Sequence, residues 1–280
     1  MKNFGQLFKM GRPVNALLAL VGALPAAVLS GVATPQAVIY SLPLFLLVFA
    51  GNIHNDICDV KADRINSPQK ALVKGVINSK SAWKAMIISS VLALLISIAI
   101  SPYHLFQSLI ILTILFLYNL YLKRTPLVGN IAVAILCAFA PMFPMGGEWT
   151  TPVLWAALFA GVFNLIREMI KDIQDVEGDS DAGMFSTAVS FGPKTTLRLA
   201  RFLWMLALFT PLLPFLAEDL GLIYLLGIMV LYFPIIMSGF AVSFARIEPA
   251  RIKFLSLSLK LGGAGVIASL FLEAYLGITI

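Results

Sequence analysis

Eight of the fourteen carboxylates in this 280-residue chain fall in two short stretches, and six of them are aspartates that share one spacing. The first runs Asn52-Ile53-His54-Asn55-Asp56-Ile57-Cys58-Asp59-Val60-Lys61-Ala62-Asp63. The second runs Glu168-Met169-Ile170-Lys171-Asp172-Ile173-Gln174-Asp175-Val176-Glu177-Gly178-Asp179. Each places aspartates at i, i+3 and i+7, which on a helix fall within a wedge of roughly 60°. Asn52 and Glu168 extend the same two faces by one turn. Like charges stacked in this way repel, so something positive belongs between the faces. A solvated acidic face is the ordinary alternative, but each trio follows a long apolar run and the two match position by position. Oxygen ligands with little His or Cys nearby suit Mg²⁺ rather than zinc or copper. Magnesium is commonly held by one or two carboxylates together with substrate phosphate. Two such faces read as a clamp for a magnesium-bound diphosphate.

The elements that must position these residues are membrane spans. The chain is 60% hydrophobic and 12% charged, a composition far more apolar than a soluble domain of this size needs. Apolar runs lie near 14–32, 36–53, 85–101, 104–122, 128–146, 152–170, 197–216, 220–243 and 256–276. The first lacks a small-residue cleavage site and reads as a span rather than a leader. The expected fold is therefore all-α and polytopic, with nine transmembrane helices around a central cavity. The long polar segments 54–84 and 171–195 should cap it as cytoplasmic loops. The chain reads as one domain over 1–280, with span one preceding two four-helix units at about 36–146 and 152–276.

With the N-terminus in the cytoplasm, all 20 Lys and Arg fall in cytoplasmic segments, Lys260 among them, while Glu148, Glu218, Asp219 and Glu273 fall outside. The positive-inside rule thus predicts a multi-pass protein of the cell membrane with both acidic motifs on the cytoplasmic side. This distribution also accounts for the net charge of +6 without a nucleic-acid partner. Cys58 and Cys137 form no metal pattern and read as unpaired thiols, and His54 and His104 form no ligand pair.

The cluster Asn52, Asn55, Asp56, Asp59, Asp63 resembles the N-D-x-x-D-x-x-x-D signature of the UbiA superfamily of intramembrane prenyltransferases. Asp172, Asp175 and Asp179 resemble that family's second aspartate-rich motif, and the resemblance spans most of the chain. It implies Mg²⁺-dependent loss of diphosphate from a polyprenyl diphosphate and transfer of the prenyl group to a lipid or aromatic acceptor. It implies two ions, one held by Asn55, Asp56, Asp59 and Asp63 and the other by Asp172, Asp175 and Asp179. Tyr118, Lys123 and Arg124 resemble the family's Tyr/Lys/Arg segment, with plain anchoring of a membrane face as the alternative. Arg167 and Lys171 abut the second acidic face and either offset its repulsion or bind phosphate. Asn15, just inside the first span, faces either the cavity or the interface.

Asn66-Ser67-Pro68-Gln69-Lys70-Ala71 departs from the family's N-R-P-x-R-P, since Lys70 keeps a charge but loses the two-pronged grip of Arg. The wording from Arg167 to Asp179 is similar to the branch that makes digeranylgeranylglyceryl phosphate, which implies a geranylgeranyl donor and a geranylgeranylglyceryl phosphate acceptor. An aromatic acceptor, as in quinone or chlorophyll-type synthesis, is the alternative, and a magnesium or phosphate transporter is a more distant one. If the acceptor carries a phosphate, Lys70 or Lys123 is the cation expected to bind it.

Overall fold

The computed structural model describes residues 2–277, and among the described residues every regular element is helical. α1 (Lys2–Met10) is followed by α2 (Pro13–Leu29), α3 (Thr34–Cys58) and α4 (Val60–Asn66). α5 (Ser79–Ile100) and α6 (Pro102–Leu120) form a hairpin closed at Ser101, whose hydroxyl accepts from the His104 N–H. A 3₁₀ turn at Leu122–Arg124 leads to α7 (Val128–Met142) and α8 (Thr151–Asp181). The rest comprises α9 (Thr187–Phe191), α10 (Pro193–Phe209), α11 (Leu213–Leu216), α12 (Leu222–Gly227), α13 (Phe233–Ser243) and α14 (Pro249–Leu276). A π-helical stretch, Ile228–Tyr232, joins α12 to α13.

All nine expected apolar runs are helical. Eight are long and apolar enough to cross a membrane, and α2, at 17 residues, is the short one, reaching about 25 Å. Along α5, Ile87, Ile88, Val91, Leu92, Leu95 and Ile98 are all exposed. Such a continuous apolar stripe belongs against lipid. The largest core lies in the second half, where Trp204, Tyr224 and Tyr232 are fully buried among α8, α10, α12 and α14. Both tyrosines satisfy their hydroxyls on backbone carbonyls of the α10 region, Tyr224 on Pro211 and Tyr232 on Ala207.

Three expectations change in detail. The polar segments 54–84 and 171–195 are not loops throughout, because helix continues through Asn66 on one side and Asp181 on the other. Only 67–78 and 182–186 are left without helix before the next element. Their polar residues face a cavity and a neighbouring helix, so polarity does not end the helix there. The last span starts at Pro249 rather than near 256, which sets Lys260 eleven residues along the helix instead of in its first turn. The first aspartate trio does not share one unbroken helix. Asp59, at φ −92° and ψ 3°, ends α3 and opens α4. That backbone bend redirects α4 so that it packs against α8.

Candidate active site

The link between α1 and α2 is built to present Arg12. Gly11 lies directly under the Phe49 ring, and Asn52 Nδ2 donates to the Gly11 carbonyl at 3.1 Å. Arg12 itself takes a left-handed backbone, φ 47°, and its Nη2 reaches Asp56 Oδ1 at 2.9 Å. Asn52 therefore holds the segment that carries Arg12 and does not line the cavity. Lys70, from the 67–78 segment, donates to Asp56 Oδ1 at 2.9 Å and to Asp63 Oδ2 at 2.7 Å. Burial pushes the Asp63 carboxyl up, and the Lys70 ammonium opposes that rise. Lys123 pairs with Asp59. The turn that carries Lys123 depends on Gly129, where an added Cβ would lie 2.9 Å from the Leu122 carbonyl oxygen.

Asn55 Nδ2 donates to Asn119 Oδ1 at 3.1 Å, and Asn119 in turn contacts His54 Nδ1 at 3.1 Å. His54 stacks on Phe116 and is buried, so it braces α3 against α6 rather than entering the cavity.

On α8, Glu168 is buried and pairs with Arg167 at 3.1 Å and Lys171 at 3.6 Å. These two cations neutralise the first acid of the second cluster. Asp172 faces α7 instead of the cavity. Its Oδ2 accepts from Asn130 Nδ2 at 3.0 Å and from the Thr187 N–H at 3.2 Å. The Thr187 hydroxyl donates to Asn130 and accepts from the Leu127 N–H. Leu127 sits at φ 62°, an uncommon backbone for a branched residue. Asp172 thus ties α7, α8 and α9 together. Asn130 lies 42 positions and Thr187 15 positions from Asp172, beyond the reach of the helical spacing that marks the aspartates.

The two acidic stretches are fastened to each other by one side chain. Asn66, the last residue of α4, donates from Nδ2 to the Asp175 carbonyl at 3.0 Å and accepts from the Gly178 N–H at 3.1 Å. Gly178 has no Cβ because one would collide with that amide. This pair, invisible in either motif alone, sets the first cluster against the second.

Between them lies a cavity of about 230 Å³. Asn55, Asp59 and Asp63 line it from α3 and α4, Asp175 and Asp179 from α8. Arg12, Lys70, Lys123, Arg167, Lys171 and Lys260 line it as well, so six cations face four carboxylates. Asp56 contributes only through its ion pairs. Arg124 and Asn15 are exposed and do not line the cavity; for Arg124 this is the geometry of a face anchor. Tyr118 is half-buried, outside the lining, in the field of Glu168, Asp59, Asp172 and Asp179.

Among the described residues no three His, Cys, Asp or Glu side chains converge on one point. The donors at the cavity are oxygens from Asp and Asn in groups of two or three, a set that fits a hard divalent cation sharing its coordination with phosphate. Cys58 and Cys137 are both free.

Known proteins resemble this chain over most of its length. The model of the UbiA prenyltransferase family matches residues 16–260. A digeranylgeranylglyceryl phosphate synthase of Korarchaeum cryptofilum is 32% identical over 249 residues, covering 86% of this chain and 87% of that protein. One from Methanopyrus kandleri is 30% identical over 220 residues, 78% of this chain and 81% of that protein. A solved structure reported for digeranylgeranylglyceryl phosphate synthase has a TM-score of 0.75 at 26% identity, covering 98% of this chain and 99% of that one. A UbiA homologue of Archaeoglobus fulgidus bound to GPP and Mg2+ shares the fold, with a TM-score of 0.67 at 20% identity over 93% of this chain and 99% of that one. The chain belongs to the UbiA prenyltransferase family, and it is a multi-pass membrane prenyltransferase.

Proposed function

We propose that this chain transfers a geranylgeranyl group from its diphosphate to the free hydroxyl of geranylgeranylglyceryl phosphate, forming the second ether bond of a lipid. The observation that carries the reading is the cavity in which Asp59 and Asp63 meet Asp175 and Asp179 among six cations. The names of its relatives and the phosphate-rich demand of this acceptor favour the glyceryl lipid over an aromatic ring. The whole chain acts as one catalytic domain, with the cavity opening to the cytoplasmic side of the cell membrane where the basic residues gather.

Asp59 and Asp63, with Asn55, would hold one magnesium ion, and Asp175 and Asp179 the other. Magnesium held there would supply positive charge to the leaving diphosphate. Lys70, Lys123, Arg167 and Lys171 supply charge-assisted hydrogen bonds to the same diphosphate. Asp56 and Glu168 orient those cations, and Asp172 fixes α8 against α7 and α9 through Asn130 and Thr187. The surrounding apolar helices keep water from the allylic cation until the acceptor oxygen attacks and releases its proton.

The test is product analysis by mass spectrometry. Purified protein with Mg²⁺, geranylgeranyl diphosphate and a panel of acceptors should yield digeranylgeranylglyceryl phosphate. Faster prenylation of an aromatic acceptor than of the glyceryl lipid would replace this reading.

A further inference from the structure

Lys260 is placed unlike a residue that anchors a membrane face. It lies eleven residues inside α14, about 16 Å along the axis from its first turn, in the run Leu257-Ser258-Leu259-Lys260-Leu261. Its side chain is exposed to the cavity, where an ammonium without a carboxylate partner is available to an anionic ligand. Its own helix offers no nearby acid. The one carboxylate of α14, Glu273, accepts from the N–H groups of Gly221 and Tyr224 at the far end.

The other five cavity cations each have a carboxylate partner: Asp56 for Arg12, Asp56 and Asp63 for Lys70, Asp59 for Lys123, and Glu168 for Arg167 and Lys171. Lys260 makes no ion pair among the described residues. The charged groups around it are Arg167, Arg12, Glu168 and Lys171, three cations and an acid already engaged by two of them. Ser256, one turn earlier on α14, also lines the cavity. An unpaired ammonium and a hydroxyl on one helix face, beside further cations, form a site for an anion. The aspartates that line the cavity come from α3, α4 and α8, so this anion site lies on a different wall.

We infer that Lys260, assisted by Ser256, binds the phosphate monoester of the acceptor lipid. This rests on the reading above that the acceptor is a glyceryl phosphate ether lipid, and it deepens that reading by naming the residues that select it. A phosphate dianion here offsets the local excess of positive charge and pairs the one cavity cation left without a carboxylate partner among the described residues. It also separates the two anionic substrates, with the diphosphate on the aspartate-bearing helices and the phosphate on α14. The sequence-based expectation of Lys70 or Lys123 is thereby replaced, because both are drawn to the first aspartate cluster.

The experiment is steady-state kinetics of Lys260→Met, Lys260→Arg and Ser256→Ala with each substrate varied in turn. The acceptors are geranylgeranylglyceryl phosphate and its phosphate-free analogue, geranylgeranylglycerol. Losing one charge-assisted contact should raise KM for the phosphorylated acceptor roughly ten- to a hundredfold in Lys260→Met. KM for geranylgeranyl diphosphate and turnover of the phosphate-free analogue should stay near wild type, and Lys260→Arg should recover much of the loss. If Lys260→Met is too slow to assay, calorimetry on the purified variant decides. Retained binding of the prenyl diphosphate with lost binding of the phosphorylated acceptor supports the site, and loss of both overturns it. Equal rises in both KM values, or no rise in either, also overturn it. A wild-type enzyme that prenylates an aromatic acceptor but neither glyceryl lipid rejects the acceptor reading itself, and that arm needs no variant.

Discussion

Adding one methyl group at Gly178 sets two effects of opposite sign against each other. On propensity alone, Gly→Ala inside a helix stabilises by about 1 kcal/mol. At Gly178 the new Cβ would overlap the Asn66 amide, so Asn66 must swing out. It would then lose its bonds to the Asp175 carbonyl and the Gly178 N–H. At about 1 kcal/mol per hydrogen bond, that loss is about 2 kcal/mol, which exceeds the propensity gain. Gly178→Ala should therefore lower the melting temperature in detergent. It should also reduce magnesium-dependent diphosphate release, because α4 is no longer fastened to α8. Asn66→Ala removes the same two bonds and the obstacle together. In that background Gly178→Ala should be neutral or stabilising, giving a double-mutant coupling of about 1–2 kcal/mol. Equal destabilisation by Gly178→Ala in both backgrounds would refute the clamp.

Three further outcomes follow from the same geometry. Asp59→Asn and Asp175→Asn should each abolish prenyl transfer while the protein remains folded by near-ultraviolet circular dichroism, and EDTA should stop the wild-type enzyme until Mg²⁺ is restored. Lys123→Met should raise KM for the prenyl diphosphate roughly tenfold or more with less effect on the acceptor, the reverse of Lys260→Met. Single cysteines at Thr150 and Glu218 should label from outside the cell, and those at Ser79 and Glu248 only from the cytoplasm; external labelling at 79 would overturn the orientation.

The nine hydrophobic helices were legible because apolar runs of this length have few alternatives. The two acidic clusters were legible because each repeats within a few turns of one chain segment. What joins them was not legible. Asn66 meets Gly178 across 112 positions, and Asn130 meets Asp172 across 42, distances over which no local pattern operates. The bend at Asp59 escaped notice because it keeps the i→i−4 bonds on either side, from the N–H of Asp59 to Asn55 and of Asp63 to Asp59. Lys260 was placed in a surface segment because the basic residues Arg251 and Lys253 precede it. The early start of α14 sets it eleven residues along the helix, beyond the first turn that the run 256–276 gave it. Arg12 lies just before the first span, and its reach to Asp56 depends on the left-handed turn that Asn52 holds.

The central claim is that the two aspartate clusters hold the metal–diphosphate group in one cavity. The most direct measurement is a structure of the protein with Mn²⁺ and a non-reactive thio-analogue of geranylgeranyl diphosphate, with the metal located by anomalous scattering. One peak should lie within ligand distance of Asp59 or Asp63 and another at Asp175 or Asp179, with the diphosphate between them. Metal peaks remote from both pairs, or a diphosphate bound without them, would contradict it.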